Sequence, residues 1–319
     1  MRSSDDASGG ACFGGPPYDD EPERRAELRH ARRGEVGIVV ARYAGYCYGV
    51  ERALRLTGEA VDAAPEPVAT LGPIIHNPSV VASLQARGVD VVGDVDEAER
   101  AGVGTLIVRT HGVSPDVLER ARSRSLNVVD ATCPFVAVAQ CKAAGLQQAG
   151  YVVVILGERD HPEVAGLEGF AGAEAVVVED AAGLPLESLR GRRVGVVVQT
   201  TQTRANLSGV AAALAPVARE LLVYNTVCDA TEKRQSAACE LAGEVDVVVV
   251  VGGRNSANTA RLAQLCRAIE PRTHHIESAA ELRAQWLRGA RRIGVTAGAS
   301  TPDEEIEATV RTLLDLCGE

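Results

Sequence analysis

Residues 126–150 read LNVVDATCPFVAVAQCKAAGLQQAG: a short β-branched run, a few small or polar residues, then Cys133 and a stretch of helical composition. Two other stretches repeat this order. EVGIVVARYAGYC (residues 35–47) ends at Cys47 and is followed by GVERALRLTGEAV, and ELLVYNTVC (residues 220–228) ends at Cys228 and is followed by DATEKRQSAACELAGE. The intervals between the cysteines are 86 and 95 residues. Self-similarity of this kind reads as one supersecondary unit used three times. Three thiols, one per unit, can then meet at one point.

Each unit continues beyond its cysteine. A second apolar run ends in polar residues: VATLGPIIHN at His76 and Asn77, YVVVILGERDHPE at His161 and Glu163, and DVVVVVGGRNSAN at Ser256 and Asn258. His76, His161 and Ser256 stand 29, 28 and 28 residues after their cysteines. A third run closes the unit: TLIVRTHG with His111, VGVVVQTT with Thr200 and Thr201, and IGVTAGAS with Ser300. Continuous Val/Ile runs suit strands covered on both faces, as in parallel sheets, and helical stretches between them, such as residues 80–88 and 259–269, suit βαβ crossovers. The fold class expected is therefore α/β, with three similar small parallel-sheet domains in a pseudo-threefold arrangement. The boundaries read are an N-terminal extension at 1–34 and repeats at 35–125, 126–218 and 219–319. Ligands of open α/β sheets bind beyond the carboxyl ends of the strands, so the strand-end groups of the three units are expected to line one central cavity.

Composition excludes several classes. A net charge of −10 disfavours a broad nucleic-acid surface, and 3% aromatic content leaves little for base stacking. No apolar run reaches the roughly 20 residues of a membrane-spanning helix. Residues 1–33 are rich in Gly, Pro, Asp, Glu and Arg without periodicity and read as disordered. They lack the apolar stretch of a secretory signal, so a cytoplasmic enzyme is expected.

Cysteine is commonly a small buried hydrophobe, which suffices for Cys141, Cys239 and Cys266 within helical stretches. Three repeats of one strand–loop–Cys–helix placement need more. A cysteine at a helix N-terminus is a better thiolate, and three thiolates without a fourth leave two options: zinc with an open position, or a [4Fe–4S] cluster with one iron free. Beside them, His76, His111, Ser256, Asn258 and Ser300 form a set of neutral or weakly cationic donors suited to phosphate or diphosphate. Glu163, in His161-Pro162-Glu163, is a candidate proton donor. Thr200 and Thr201 are candidates for relaying a proton or bonding a substrate hydroxyl. His274 and His275 match no repeat position and read as structural or solvated.

Nine ordered segments, AGYCYGVERA, TLGPIIHNP, THGVSP, DATCPFV, HPEVAG, VVQTTQT, NTVCDATEKRQ, GGRNSANTARL and VTAGASTPD, run from Ala44 to Asp303. Through them the chain resembles the 4-hydroxy-3-methylbut-2-enyl diphosphate reductases, the LytB family. The resemblance implies a three-domain α/β fold around a central [4Fe–4S] iron–sulfur cluster with three cysteine ligands and one open iron. It implies reductive removal of an allylic hydroxyl, the last step of the non-mevalonate isoprenoid route. It assigns Cys47, Cys133 and Cys228 to the cluster, and His76, His111, Ser256, Asn258 and Ser300 to the diphosphate. Glu163 becomes the acid, with His161 and Thr200 near the substrate hydroxyl and the proton path. Two positions depart from the pattern. Ala257 stands where some members carry a second serine, leaving only its backbone N–H for the diphosphate, and Tyr48 follows the first cysteine where a smaller residue or Phe is usual.

Rival readings are a quinolinate-synthase-like cluster-dependent dehydratase, a redox-sensing paralogue that keeps a cluster without turnover, and a zinc hydrolase. Gly252-Gly253 lacks the GxGxxG spacing of a dinucleotide loop, and no flavin or nicotinamide fingerprint occurs. The partners expected are a small allylic diphosphate and an electron donor such as ferredoxin or flavodoxin, with neither nucleic acid nor membrane.

Overall fold

The computed structural model describes residues 29–64 and 66–318. Strands β3 (Val68–Leu71), β4 (Val89–Val92), β5 (Thr105–Val108) and β6 (Asn127–Asp130) form a parallel sheet in the order β4-β3-β5-β6. Strands β7 (Val152–Leu156), β8 (Val176–Val178), β9 (Arg193–Val198) and β10 (Glu220–Val223) form a second, in the order β10-β9-β7-β8. The third combines β11 (Val247–Val251), β12 (Thr273–Ile276) and β13 (Arg292–Ala297) with β2 (Val36–Val40) and β1 (Arg29–Arg33), in the order β1-β2-β13-β11-β12. One topology serves all three. The first strand is central, the second flanks it on one side and the third on the other, and the fourth lies beyond the third. Among the described strands only β1, antiparallel to β2, departs from the parallel pattern.

In the third sheet the fourth strand is β2, from the other end of the chain, parallel to β13 with Ile38 opposite Ile293. The strand before Cys47, assigned by sequence to the repeat at 35–125, therefore belongs to the sheet made largely from residues 219–319. Each sheet ends on a cysteine strand rather than beginning with one. The physical reason is that periodicity reports strands and their order, whereas pairing is decided by where the crossover helix packs.

Those helices leave one sheet and cover the next. Helix Tyr48–Ala63 puts Val50 and Ala53 into the core of Val68, Ile74 and Ile107 in the first sheet. Helix Pro134–Gln148 puts Ala139, Ala143 and Leu146 against Val153, Ile155 and Val197 in the second. Helix Asp229–Ala242 puts Ala238, Leu241 and Ala242 against Val39, Val248 and Val250 in the third. The three sheets are thus linked in a closed cycle. Every residue of β7 and β11 is buried, as their unbroken apolar runs predict.

Of the extension read as disordered, residues 1–28, including Cys12, lie outside the described residues. Residues 29–33 are the edge strand β1, turned into β2 at Gly34, whose φ is 61°. Their composition, RHARR, is the charged kind that protects a sheet edge. Among the described residues no helix is long and apolar enough to cross a membrane.

The repeat extends to packing. Thirteen residues after Cys133 and Cys228 stand Leu146 and Leu241, and each presses on a glycine three residues before the end of a third strand, Gly195 and Gly294. A Cβ on Gly195 would lie 2.5 Å from Leu146 Cδ2, and one on Gly294 2.9 Å from Leu241 Cδ2. In the first sheet the corresponding residues are Ala60 and Thr105, so a smaller helix residue goes with a larger strand residue. Gly195→Val is expected to lower stability by about 1–3 kcal/mol through overpacking. Gly58→Ala, whose added Cβ meets nothing within 4 Å, is expected to raise stability by about 0.5–1 kcal/mol. Urea denaturation of both variants measures the two opposite signs.

Candidate active site

Each of Cys47, Cys133 and Cys228 is the N-cap of the helix that follows it, with extended backbone and no side-chain cap bond. Each backbone N–H donates to the residue just past the third strand of the same sheet: Cys47 to Ala299 (3.3 Å), Cys133 to Thr110 (2.9 Å) and Cys228 to Thr200 (3.0 Å). The side chains turn to one cavity, which all three line. Gly49 marks how close they come: a Cβ there would lie 2.6 Å from Cys133 Sγ and 3.8 Å from Cys47 Sγ.

Burial, then the neighbouring thiols, push Cys133 up, and the helix N–H groups of Phe135 and Val136 offset only part. Burial and Cys47 push Cys228 up to about 12. Three adjacent thiolates in such a place need a cationic group among them. The donor set, three soft sulfurs on one cavity wall, fits a metal–sulfur centre.

Three imidazoles line the same cavity. The ring centres of His76 and His111 are 4.4 Å apart, and His161 is 5.5 Å and 5.3 Å from them. Burial lowers all three, His161 to about 4; the charge of Arg109 adds to it in each, and repulsion from the neighbouring imidazoles adds to it in His111 and His161. His161 caps helix Pro162–Ala171, its Nδ1 accepting from Glu163 N–H at 3.1 Å. The protonated nitrogen is therefore Nε2, a neutral donor. Both nitrogens of His76, Nδ1 of His111, and both Nδ2 and Oδ1 of Asn258 are buried without a protein partner. Buried polar atoms are rarely left unpaired, and here they converge on the cavity.

Ser256 caps helix Ala257–Ile269, placing Ser256, Ala257 and Asn258 at the cavity wall. Ser300 donates to the His76 carbonyl at 3.2 Å. Asn77, at the end of the same first-sheet run, caps helix Pro78–Ala86 and donates to the Ser300 carbonyl at 3.0 Å. These bonds join the first and third sheets beside the histidines.

Glu163 is 1% exposed. Its Oε1 accepts from Thr200 N–H at 2.7 Å and its Oε2 from the Thr200 hydroxyl at 2.8 Å. Burial outweighs these bonds and raises its pKa to about 7. A backbone N–H can only donate, so Oε1 stays an acceptor and a proton on this carboxyl resides on Oε2, facing Thr200 Oγ1.

Every residue that the sequence assigns to the thiol set, the anion-binding set or the proton path is brought to this cavity, and Thr201 with them. Tyr48 is not: at 40% exposed it faces away and does not narrow the cavity. His274 stacks on Trp286 at 4.0 Å, and His275 Nε2 donates to the Gly252 carbonyl at 2.9 Å, both away from the site.

Sequence reasoning missed Gly49 and a cycle of cations. Arg52, on the helix after Cys47, donates to the Thr132 carbonyl at 3.1 Å, next to Cys133. Lys142, on the helix after Cys133, lies 4.8 Å over the Tyr224 ring on the strand end leading to Cys228. Arg234, on the helix after Cys228, donates to the Gly45 carbonyl at 3.0 Å, beside Cys47. Each cysteine helix thus ties down the loop of the next cysteine. Their offsets of 5, 9 and 6 residues from the cysteines hide the pattern in the sequence.

Comparison with known proteins gives a consistent result. The family described as LytB protein matches residues 38–314. A 4-hydroxy-3-methylbut-2-enyl diphosphate reductase of Geobacter sulfurreducens (strain ATCC 51573 / DSM 12127 / PCA) is 50% identical over 277 residues, 85% of this chain and 95% of that relative. One of Geobacter sp. (strain M21) is 48% identical over 86% of this chain and 95% of its own length. A solved structure of (E)-4-hydroxy-3-methyl-but-2-enyl diphosphate reductase, terminal enzyme of the non-mevalonate pathway, matches with a TM-score of 0.64 at 40% identity, over 87% of this chain and 99% of that one. The structure of E-1-hydroxy-2-methyl-but-2-enyl-4-diphosphate reductase from Plasmodium falciparum matches with a TM-score of 0.79 at 26% identity, over 86% and 87%.

The raised pKa of Glu163 has a measurable consequence. An acid raised in the fold contributes stability that is complete below its ordinary value of 4.5 and is lost as pH rises through about 7. The lowered histidines act in the opposite sense, so the difference between wild type and Glu163→Gln isolates the carboxyl. That variant is expected to gain relative stability between pH 5 and 8, on the order of 1 kcal/mol or more, read from urea midpoints at each pH. A pH-independent difference would contradict the raised value.

Proposed function

The chain belongs to the LytB protein family, and on that premise we propose that it is a 4-hydroxy-3-methylbut-2-enyl diphosphate reductase. It takes an allylic C5 diphosphate, two electrons and two protons to isopentenyl or dimethylallyl diphosphate and water, the last step of the non-mevalonate route. The observation that carries the reading is one cavity lined at once by three thiols, an unsatisfied anion-binding set and a buried carboxylic acid.

Cys47, Cys133 and Cys228 would hold a [4Fe–4S] cluster with one iron lacking a protein ligand. Bound there, the cluster supplies electrons and a Lewis acid beside the substrate hydroxyl. His76, His111, Ser256, Asn258 and Ser300, with the backbone N–H of Ala257 at a helix start, hold the diphosphate and orient the allyl chain. The orphaned atoms of His76, His111 and Asn258 are the ones such an anion satisfies. Neutral His161 presents Nε2–H near the substrate hydroxyl. Glu163, protonated at Oε2, passes its proton to Thr200 Oγ1 while the Thr200 hydroxyl gives its own onward to the departing oxygen, so water leaves and Glu163 becomes a carboxylate. A pKa of about 7 suits this duty. A partner such as ferredoxin or flavodoxin supplies the electrons, and cytoplasmic conditions keep the thiols reduced.

Anaerobically purified, cluster-reconstituted protein is to be given 4-hydroxy-3-methylbut-2-enyl diphosphate and reduced methyl viologen. Substrate-dependent oxidation yielding both isoprenoid diphosphates is expected, and no turnover from protein with an intact cluster would overturn the reading in favour of a regulatory paralogue. Cys133→Ser is expected to lose iron and sulfide. Glu163→Gln is expected to retain both and to drop kcat by about 10²-fold or more. In the wild type kcat is expected to fall as pH rises past about 7, as the protonated share of Glu163 shrinks.

A further inference from the structure

Arg109 stands just beyond β5, two residues before His111. Its guanidinium lies over the start of the loop that carries His76. Gly72 makes the room: a Cβ there would collide with Arg109 Nη1, and the Gly72 φ of 71° is itself in the left-handed region. Arg109 Nε is buried without a partner, and no carboxylate among the described residues pairs with the rest of the group.

This is an unusual placement. Arg109 is half-buried with its Nε out of water, and a guanidinium so placed ordinarily has an anion beside it, because desolvating an isolated charge is costly. Burial here lowers the Arg109 pKa, as desolvation of an uncompensated cation must. What faces it are neutral groups, since its positive charge helps burial hold His76, His111 and His161 below their ordinary values. The three histidines each offer a nitrogen within 4.8 Å of the others, a spacing a metal ion could also use. A cation would sit against the unpaired guanidinium, whereas an anion would compensate it, so the charge selects the anion.

Building on the function proposed above, we propose that Arg109 is a positioning residue for the diphosphate. Arg234, the cation on the cavity wall, is spent on the Ala230 and Gly45 carbonyls beside the cysteine loops, whereas Arg109 adds a fixed positive charge next to the three neutral histidines and makes that side of the site prefer diphosphate over less highly charged phosphates. The hydrogen bonds come from the histidines, serines and Asn258, while the dependence on ligand charge comes from Arg109. At an effective dielectric near 20, one unit charge several ångströms from a multiply charged anion contributes on the order of a factor of ten in affinity.

The test compares Arg109→Gln, which removes the charge and keeps a polar side chain, with Arg109→Lys, which keeps the charge, both as cluster-loaded holoenzymes. Titration calorimetry with inorganic diphosphate and with inorganic phosphate is run beside steady-state kinetics. In Arg109→Gln diphosphate binding is expected to weaken about tenfold and phosphate binding less, so that the preference narrows. KM for the substrate is expected to rise more than kcat falls, and Arg109→Lys to recover most of the loss. A purely structural role would lower kcat or the melting temperature in both variants without changing the diphosphate-to-phosphate ratio, and that outcome overturns the proposal. Equal diphosphate affinity in wild type and Arg109→Gln overturns it too. A wild type that neither binds diphosphate nor turns over the substrate overturns the reductase reading itself, and with it the role of Arg109.

Discussion

Three backbone hydrogen bonds, from Cys47, Cys133 and Cys228 to Ala299, Thr110 and Thr200, hold each cysteine to the end of the third strand of its own sheet. Most of the site depends on them. They set each sulfur beside a strand end that carries a polar group, so thiols and donors share one cavity. They also fix where each following helix starts, and that helix covers the next sheet, closing the cycle. Arg52, Lys142 and Arg234 tie each cysteine loop to the helix before it in that cycle. No cysteine is positioned by one sheet alone.

Low dielectric then sets the character of the cavity, moving each kind of group away from charge. Histidines fall, the carboxyl of Glu163 rises to about 7, and Cys228 rises to about 12. The walls near neutral pH are therefore mostly uncharged donors and acids. Such a site is under-satisfied in itself, as the orphaned atoms of His76, His111 and Asn258 show, and only an anionic ligand and a cationic centre complete it. Two cations are the exceptions, Arg234 on the cavity wall beside the cysteine loops and Arg109 next to the histidines, each with a buried Nε that has no protein partner. Burying these groups weakens the fold and prepares the site.

Much of this was legible from residues 126–150 outward. β-Branched runs of four to six residues gave the parallel strands, and the residues after them gave the site, because a strand end in a parallel sheet is where side chains leave the sheet for a ligand. Glu163 was legible as an acid but not as a raised one, since its burial comes from elements distant in the chain. The sequence left open whether Tyr48 narrows the pocket, and its outward turn at the start of helix Tyr48–Ala63 answers that. Gly49 and Arg234 carried no signal, because their roles are contacts with residues 84 and 189 positions away.

The sequence by itself determined the α/β class, the threefold repetition, the three cysteines and the chemical types around them, because each is a local property of a strand end or a helix start. Tertiary structure decided which strands share a sheet. It moved the strand before Cys47 to the third sheet, since pairing follows helix packing and long-range backbone bonds rather than order along the chain. It also decided the protonation of Glu163, the orphaning of the cavity donors and the isolation of Arg109, because desolvation depends on everything that surrounds a group and not on the residue that bears it.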